Sequence, residues 1–458
     1  MKSAIFVIMV ILSSRLALPQ TDEKVISEIY TEQLTNSPIY ENLRYLTKEI
    51  GNRINGSTKL SEAVEYTKQL MIKYQFDTVY LQPVMVPNWI RGKKEIVRIM
   101  NSTPLGIRDL NCLALGNSIG TGEKGLIGEV IEINSLEELM KADKNLTNGK
   151  IIFLNQPLDK SLISTHEAYR KGRAIRTNGA SQASIKGAIA VIIRSLSTGN
   201  NDSPVAGYMA YDEGVNKIPA VSISTNDADL LSAQIKRLPK TTIYFETHCQ
   251  TQEMALSYNV IGEIRGNLFP DEIILVGSHI DTWDVGEGAQ DNGGGCLQAI
   301  EVLRSFKIFN IRPKHTLRVV MWADEENGDS GDVVYAEESL KKKEVHIAAI
   351  EPDYGAFSPI GFTIDTDNEI AFNKLMSWKN YFEPYQIFQF NKGYPGDDII
   401  PLKNNRILLL GLMTDSQRYY SLMHSEKDVF EAVDKRELEL GAAAITSIVY
   451  LIDKYGLN

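Results

Sequence analysis

Apolar side chains follow a helical rhythm at the beginning of the chain. Between residues 22 and 75 they recur at three- and four-residue spacing, and the segment from Ser61 to Tyr74 shows this spacing clearly. Residues 77–100 instead carry short stretches rich in β-branched and aromatic residues, such as residues 78–81. The pattern predicts helices, one of them capped by Ser61, followed by strands.

Two later regions differ in how their apolar runs are arranged. After a glycine-rich break at residues 116–125, short runs alternate with helical patches through residue 247. From residue 258 onward, longer β-branched runs are separated by helical segments, and a final helix is predicted at residues 437–455. Strands that are apolar on both faces and separated by helices indicate an α/β fold with a mixed, mostly parallel sheet flanked by helices.

These changes of rhythm predict the domain organisation. The predicted parts are a signal peptide at residues 1–18, the N-terminal part of the main domain at 22–115, an inserted domain at 116–252 and the main, catalytic domain at 253–458. No internal repeat interrupts this order. We therefore expect one α/β domain that is interrupted by a second domain.

The first residues are typical of a secretory signal peptide. Met1-Lys2 is followed by an apolar run at residues 4–12 and then by small residues. A membrane anchor is the alternative, but the run falls short of the roughly 20 residues that span a bilayer. We therefore predict a secreted, extracellular protein without stable membrane insertion, with the lysosome or secretory pathway as an alternative location. Four glycosylation sequons agree with secretion, at Asn55, Asn101, Asn145 and Asn201.

Composition narrows the function by exclusion. The net charge of -10, without a basic stripe, argues against a nucleic-acid partner. Three cysteines allow at most one internal disulfide and cannot form a zinc site of four thiolates. Cys112 and Cys249 lie at the two ends of the predicted insert, and these ends should be close in space. They are therefore the candidate disulfide pair.

Residues that could bind a metal or transfer a proton stand where the apolar runs of the last domain end. One run ends in His279, another is followed by Glu325 and Glu326, and a third leads to Asp353. Functional groups in open α/β sheets gather at the carboxyl ends of strands. Adjacent acids at such a place repel each other unless a positive partner is present. A metal pair provides that partner, whereas the simpler alternative is a solvated acidic turn.

Each residue type suits a role beside metal ions. His279 can bind through one ring nitrogen, while Asp281 holds the other nitrogen or supports the loop. Asp291 stands among the glycines of residues 286–295 and has two oxygens with which to bridge two metals; a flexible loop is the alternative there. One glutamate of the Glu325-Glu326 pair can bind a metal while the other takes a proton from water. His424 adds a second imidazole, and the remaining histidines are interpreted as structural: His166, His248, His315 and His346.

The segments HIDTWDVGEGAQDNGGG at 279–295 and RPKHTLRVVMWADEEN at 312–327 resemble the metal-binding segments of the M28 peptidases, a family of co-catalytic zinc aminopeptidases. Residues 149–157, 186–195 and 218–224 are similar to a protease-associated domain. The resemblance covers most of residues 25–455. It implies a zinc aminopeptidase-like fold with an inserted protease-associated domain, two Zn²⁺ per chain and a homodimer.

The resemblance also assigns roles to single residues. Glu325 is the general base, and Asp281 and Asp398 support the site, with Asp397 as a competing choice for the latter. Asp324 stands where the family usually has a small residue, which adds a negative charge beside the metals. The five metal ligands are His279 and Asp353 for one zinc, Glu326 and His424 for the other, and Asp291 for both.

The expected reaction is hydrolysis of small unblocked peptides, chiefly dipeptides, by attack of a zinc-bound hydroxide. The alternatives are an aminopeptidase that acts on longer peptides, glutaminyl cyclisation, which needs a one-metal site, and a non-catalytic binding protein. The complete ligand set argues against the last of these. Arg418, Tyr419 and Tyr420 are candidates for binding the substrate terminus, with surface packing as the alternative.

Overall fold

Two layered α/β units, each built on an eight-stranded sheet, account for the described part of the chain. The computed structural model describes residues 21–102, 106–404 and 406–457. The signal peptide predicted at residues 1–18 lies outside these residues. Within the described residues, no helix combines the length and the apolar character that crossing a bilayer requires.

The bounds of the elements are as follows. The strands are β1 (Thr78–Val86), β2 (Trp89–Ile90), β3 (Ile96–Ser102), β4 (Gly106–Leu110), β5 (Cys112–Ala114), β6 (Leu126–Ile133), β7 (Ile151–Leu154), β8 (Ala190–Arg194), β9 (Ala220–Ile223), β10 (Thr242–Glu246), β11 (Gln250–Thr251), β12 (Ala255–Ile264), β13 (Phe269–His279), β14 (His315–Trp322), β15 (Val345–Glu351), β16 (Pro359–Asp365), β17 (Gln389–Lys392) and β18 (Leu408–Thr414). The α-helices are α1 (Asp22–Asn36), α2 (Ile39–Arg44), α3 (Thr58–Lys73), α4 (Leu136–Lys141), α5 (Lys144–Thr147), α6 (Thr165–Gly172), α7 (Ala174–Ile185), α8 (Thr225–Arg237), α9 (Gly294–Ile308), α10 (Ser330–Lys342), α11 (Glu369–Met376) and α12 (Lys435–Tyr455).

The first sheet has the strand order β1-β12-β14-β13-β15-β18-β16-β17. Its inner strands β14, β13, β15 and β18 run parallel to one another, and antiparallel pairs lie towards the edges. Every residue of β14 is buried, because helices cover both faces of the sheet. The predicted mixed, mostly parallel α/β sheet flanked by helices is confirmed.

Helices α9 and α12 cover one face of this sheet through a continuous apolar core that includes Leu303, Val319 and Ile448. On the other face, Tyr335 of α10 packs edge-on against Trp322, with ring centroids 6.2 Å apart. Burying each large apolar side chain contributes about 1.5–3 kcal/mol. The strand ends that follow this core are therefore held on a well-packed platform.

Helix α3 begins earlier than the apolar pattern predicts. Ser57, and not Ser61, is its N-cap, since the Ser57 Oγ accepts a hydrogen bond from the Leu60 N–H at 3.1 Å. Gly56 precedes it in the left-handed region, at φ +79°, which turns the chain into the helix. The prediction missed this first turn because Thr58 and Lys59 are exposed polar residues that carry no apolar signal.

The second sheet has the order β4-β3-β10-β6-β7-β8-β9-β5 and forms the inserted domain. The predicted boundary at residue 116 is wrong, because β3, β4 and β5 already belong to this sheet. The chain leaves the first sheet after β1 and returns at β12, where Val86 and Ala255 are paired neighbours. Strands β2 and β11 pair with each other at this crossing point. The glycine-rich break at residues 116–125 therefore lies inside the inserted domain and does not mark its beginning.

The candidate disulfide between Cys112 and Cys249 is not formed, and both described residues are free thiols. Both belong to the apolar core of the inserted domain, where they are 9% and 4% exposed. Burial raises the pKa of each thiol to about 12, which disfavours the thiolate that oxidation requires. The two cysteines therefore pack as small apolar side chains.

The sequons differ in exposure. Asn145 is exposed, whereas Asn101 and Asn201 are partly buried. Asn55 is only 2% exposed, and its Nδ2 donates to the Asp324 Oδ1 at 2.5 Å. The prediction of Asn55 as a glycan acceptor is wrong for the folded protein, because that nitrogen faces the interior. The other sequons stay predictions.

Candidate metal centre

Three parallel strands deliver the predicted site residues to one edge of the first sheet. His279 ends β13, and β14 and β15 end just before residues 323–326 and Asp353. His279 is paired with Trp322 on β14, and Val276 with Ile350 on β15, so the carboxyl ends lie side by side. The apolar runs that end in acids or histidine therefore meet at a single place.

The candidate ligands form two triads that share Asp291. In one triad, His279 Nε2 lies 3.3 Å from Asp291 Oδ1 and 3.2 Å from Asp353 Oδ1. In the other, His424 Nε2 lies 3.0 Å from Asp291 Oδ2 and 2.9 Å from Glu326 Oε2. The potential ligand atoms of each triad lie within 4.8 Å of one another. The two oxygens of Asp291 thus face the two imidazoles, one each.

Glu325 lies beside the first triad without belonging to it. Its Oε2 is 3.9 Å from the His279 Nε2, and its side chain, 20% exposed, reaches the cavity above the site. Burial raises the pKa of Glu325 well above its usual range, the neighbouring Asp353 and Glu326 raise it further, and His279 opposes them. This carboxylate is therefore placed to exchange protons with a group in the cavity.

The site carries more negative than positive charge, which favours bound cations. Asp291, Glu325, Glu326 and Asp353 face only two imidazoles, so negative charge remains in excess even when both rings are protonated. Uncompensated buried ions cost several kcal/mol each. Imidazole nitrogens and carboxylate oxygens are ligands of zinc and of similar divalent metals. The residues present therefore fit two divalent cations, one in each triad.

Asp281 supports the loop, and its Oδ1 lies 3.7 Å from the His279 Nδ1, beyond hydrogen-bond distance. Its carboxylate accepts three backbone N–H groups, from Asp324 at 2.9 Å, Glu325 at 3.1 Å and Glu326 at 3.2 Å. The His279 Nδ1 instead lies 3.1 Å from the backbone carbonyl of Asp281. A proton on Nδ1 would leave the Nε2 lone pair facing the triad. Of the two roles expected for Asp281, the structure shows support of the turn at residues 324–326, which carries Glu325 and Glu326 and is called the Glu-Glu turn below.

Two residues that the sequence did not single out fix the loop before Asp291. The Asp428 carboxylate accepts the backbone N–H groups of Ala289, Gln290 and Asp291 at 3.1, 2.6 and 3.1 Å. Arg53 is fully buried and donates to three carbonyls of this region, at Ile280, Glu287 and Gly288, and also to Gly51. Asp428 follows His424 closely, which was the available signal. Arg53 lies more than 200 positions away and had none.

Asn292 holds the opposite ligand. The peptide bond between Asp291 and Asn292 is cis. The Asn292 Nδ2 donates to Asp353 Oδ1 at 2.6 Å and to the Pro352 carbonyl at 3.0 Å. The residue that follows the shared aspartate thus orients a ligand of the first triad.

Asp398 and Asp397 occupy different places. Asp398 is 3% exposed, and burial followed by the nearby Glu351 raises its pKa well above the usual range. Asp397 lines the cavity and accepts a hydrogen bond from the Tyr394 hydroxyl. Neither belongs to the two triads. The supporting role of Asp398 stays a prediction, and Asp397 is the one that contacts the cavity.

A cavity of about 1290 Å³ lies above the triads, between the first sheet and helices α6 and α7 of the inserted domain. Contacts across it dock the two domains: Thr165 Oγ1 donates to the Ser416 carbonyl at 2.8 Å, and Tyr169 stacks on Tyr420 at 4.5 Å. His166 Nδ1 lies 2.9 Å from the Tyr420 hydroxyl, and its ring lines the cavity. The interpretation of His166 as merely structural therefore missed its position at the site.

The candidates for binding the substrate terminus separate into two groups. Tyr419 and Tyr420 line the cavity. Arg418 lies outside its lining, pairs with Glu437 at 2.7 Å and stacks over Phe357 at 4.5 Å. For Arg418 the alternative of surface packing therefore holds.

This sheet, with an acidic and imidazole-bearing centre at its carboxyl edge, has the architecture of an α/β peptidase. The chain belongs to peptidase family M28, whose sequence profile matches residues 259–449. It is similar to Carboxypeptidase Q from Bos taurus, with 32% identity over 415 residues that cover 90% of this chain and 84% of the relative. Carboxypeptidase Q from Xenopus laevis is 33% identical over 417 residues, covering 90% and 85%.

A solved structure agrees in fold over nearly the whole chain. The crystal structure of a Peptidase M28 precursor from Shewanella amazonensis SB2B superposes with a TM-score of 0.90 at 30% identity. The match covers 94% of this chain and 96% of the other. The inserted sheet therefore belongs to an arrangement that this relative shares.

Proposed function

We propose that the protein is a zinc exopeptidase with two metals per chain, which hydrolyses small unblocked peptides and chiefly dipeptides. The observation that carries the proposal is the pair of triads around Asp291, whose two carboxylate oxygens face His279 and His424 at 3.3 and 3.0 Å. A carboxylate that faces two imidazoles from opposite oxygens is suited to bridge two cations. Membership of a peptidase family supports the reaction class.

The ligands divide between the two metals. His279 and Asp353 would hold one ion, Glu326 and His424 the other, and Asp291 both. When bound, the two ions polarise the scissile carbonyl and make the attacking water more acidic. Zinc is the metal that we propose, because nitrogen and carboxylate ligands in small sets suit it.

Glu325 moves the proton in this mechanism. Burial raises the pKa of Glu325 above its usual range, and this direction makes the carboxylate a stronger proton acceptor. It accepts a proton from the attacking water and delivers it to the nitrogen of the leaving amine. Asp281 keeps Glu325 in place through the backbone N–H of that residue.

The inserted domain supports an exopeptidase. Helices α6 and α7 line one side of the cavity, which favours short peptides over a long chain that would have to pass across the site. The relatives named carboxypeptidase Q point to cleavage at chain ends. The cavity volume of about 1290 Å³ nevertheless leaves room for more than two residues, which favours an aminopeptidase acting on longer peptides as the second candidate. A peptide length series, with identification of the end that is cut, separates the two.

The base is tested by Glu325→Gln, which keeps the shape of the side chain and removes its basicity. We expect the variant to retain the metal content of the wild type, measured by mass spectrometry, while kcat for alanyl-alanine falls by roughly 100- to 10000-fold. Retained turnover at full metal content would remove Glu325 from this role.

We also propose secretion. The apolar start of the chain and the exposed Asn145 sequon support it. Glycosidase treatment of protein collected from the medium of expressing cells should lower its apparent mass, and an Asn145→Gln variant should lose one glycan step.

A further inference from the structure

The cavity above the metal centre is charged unevenly. Its floor, which the first sheet supplies, carries carboxylates that include Asp329, Asp353 and Asp397. The arginines that line it within the described residues are Arg170, Arg173 and Arg176, and all three come from the inserted domain. The roof also carries the carboxylate of Glu167, but this group pairs with Lys171 at 2.7 Å. A carboxylate that enters the cavity is therefore repelled by the acids of the floor, apart from the bound metals, and attracted to the arginines of the roof.

Two of the three arginines act on neighbours within the inserted domain. Arg176 is 7% exposed, donates to the carbonyls of Tyr208 and Ala206 at 3.2 and 3.5 Å, and lies over the Tyr169 ring. Arg170 lies on the exposed side of α6, where its charge acts on Glu167. These interactions of Arg170 and Arg176 lie within the inserted domain.

Arg173 differs from both. It sits between α6 and α7, its side chain is exposed, and within the described residues it has no ion pair or side-chain hydrogen bond. Its positive charge nevertheless acts on Asp329 and Tyr354 across the cavity. An unpaired guanidinium that lines the cavity, and whose charge reaches Asp329 and Tyr354 of its lining, is available for a ligand.

We infer that Arg173 binds the free carboxylate of the peptide substrate, so that the inserted domain selects peptides whose C-terminus is close to the scissile bond. This inference rests on the proposed peptidase function. A guanidinium can bind a carboxylate through two parallel hydrogen bonds, which gives direction as well as affinity. Each further residue moves the carboxylate by about 3.8 Å, so a longer peptide would carry it away from a fixed arginine.

The test compares alanyl-alanine with alanyl-alanine amide, which lacks the carboxylate. Arg173→Ala should lower kcat/KM for alanyl-alanine by roughly 10- to 100-fold, mainly through KM, because a charge-assisted hydrogen bond is lost. The amide should change by less than about threefold, and Arg173→Lys should recover part of the loss because it keeps the charge. Lys236→Ala removes an exposed charge of α8 in the same domain, outside the cavity lining, and should change neither substrate.

Equal losses on the two substrates, or no loss on either, would overturn the role of Arg173. Calorimetry in a Glu325→Gln background separates this role from the proposed function, since it measures binding without turnover. There, adding Arg173→Ala should raise the Kd of alanyl-alanine by the same factor and leave that of the amide unchanged. If the wild type cleaved neither peptide but this difference in Kd remained, the reaction would be wrong and the carboxylate site right. An unchanged Kd would reject the carboxylate site.

Discussion

The two sheets of the molecule have the same size and a similar core of parallel strands, yet within the described residues only one of them carries a candidate metal centre. In the first sheet, the strands that end at His279, near Glu326 and near Asp353 direct these side chains at one another. In the inserted sheet, the corresponding strand ends use their polar groups locally. Ser224 caps α8, and Ser195 Oγ donates to the Ile223 carbonyl at 2.7 Å.

The comparison shows that a parallel sheet brings its strand ends together, but that the side chains at those ends determine whether a functional site forms. At these strand ends of the inserted sheet, Ser195 and Ser224 bond to neighbouring backbone groups, and the described residues of this sheet form no candidate metal group. At the edge of the first sheet, four carboxylates meet two imidazoles, which is unfavourable without cations. Function therefore follows from side chains placed on the fold, and not from the fold alone.

The largest expected difference between the two domains is in the effect of replacing one buried aspartate in each, Asp291 in the first and Asp227 in the inserted domain. Asp291→Asn should reduce the metal content to at most one ion per chain and lower kcat/KM by roughly 1000-fold or more, because a bridging oxygen is lost. Asp227 of the inserted domain is 3% exposed and accepts from the Asn111 N–H at 2.7 Å. Asp227→Asn should lower Tm by a few degrees, with metal content and activity close to wild type. Metal loss in both variants, or in neither, would break the contrast.

Removing the carboxylate of Asp281, which supports the Glu-Glu turn, should have a smaller effect on metal binding. Asp281→Ala removes the acceptor of three backbone N–H groups. Partners of this kind typically contribute 10- to 100-fold in metal affinity or activity, so we expect a loss of roughly that size in zinc affinity, measured by competition with a chelator. Asp109→Ala, which removes an exposed acid of the inserted domain, is the control and should leave the affinity unchanged. Unaltered affinity in Asp281→Ala would mean that the turn holds its shape without this carboxylate.

Asp324 offers a test through pH. Burial, with repulsion from Asp281, raises the pKa of the Asp324 carboxyl to about 8. A carboxyl whose pKa is higher in the folded than in the unfolded state makes a contribution to stability that is fully present below about pH 4. The contribution is lost progressively as pH rises from there through about 8, because the unfolded chain ionises first.

In metal-free protein, the Tm of Asp324→Asn should consequently fall less than that of the wild type between about pH 6 and about pH 9. Metal removal is needed because nearby cations would favour the ionised carboxylate. Asp109→Ala is again the control, since its curve should follow the wild type. Parallel curves for Asp324→Asn and the wild type would show that this carboxyl does not titrate in the expected range.

The sequence predicted the elements best where the apolar signal was strong. The final helix, predicted at residues 437–455, is observed at Lys435–Tyr455, and the fully buried strands were found within a few residues. His279, Glu326 and Asp353 were identified because each ends or follows an apolar run, whereas Asp291 was identified from its glycine-rich segment and His424 as a second imidazole. The domain boundary failed because strands on either side of Val86 look alike in sequence, and only their pairing shows which sheet they join.

The supporting residues could not be predicted for the same physical reason. Arg53 holds the loop before Asp291 through contacts with backbone carbonyls, which leave no mark on the residue types of that loop. His166 reaches the cavity only because α6 docks on Tyr420. Asn55 lies in a valid sequon, but its burial beside Asp324 depends on tertiary packing. The local sequence shows which residue types could bind a metal, a substrate or a glycan. Tertiary contacts between distant residues determine which of them reach the site or the surface.

The most direct test of the two-metal centre is a count of the zinc ions combined with the distance between them. Elemental analysis of zinc-loaded protein should give two ions per chain, and X-ray absorption should show a metal neighbour at about 3.5–4 Å from each ion. A single ion per chain, or two ions without a metal neighbour at this distance, would contradict the shared role of Asp291 and the mechanism that depends on it.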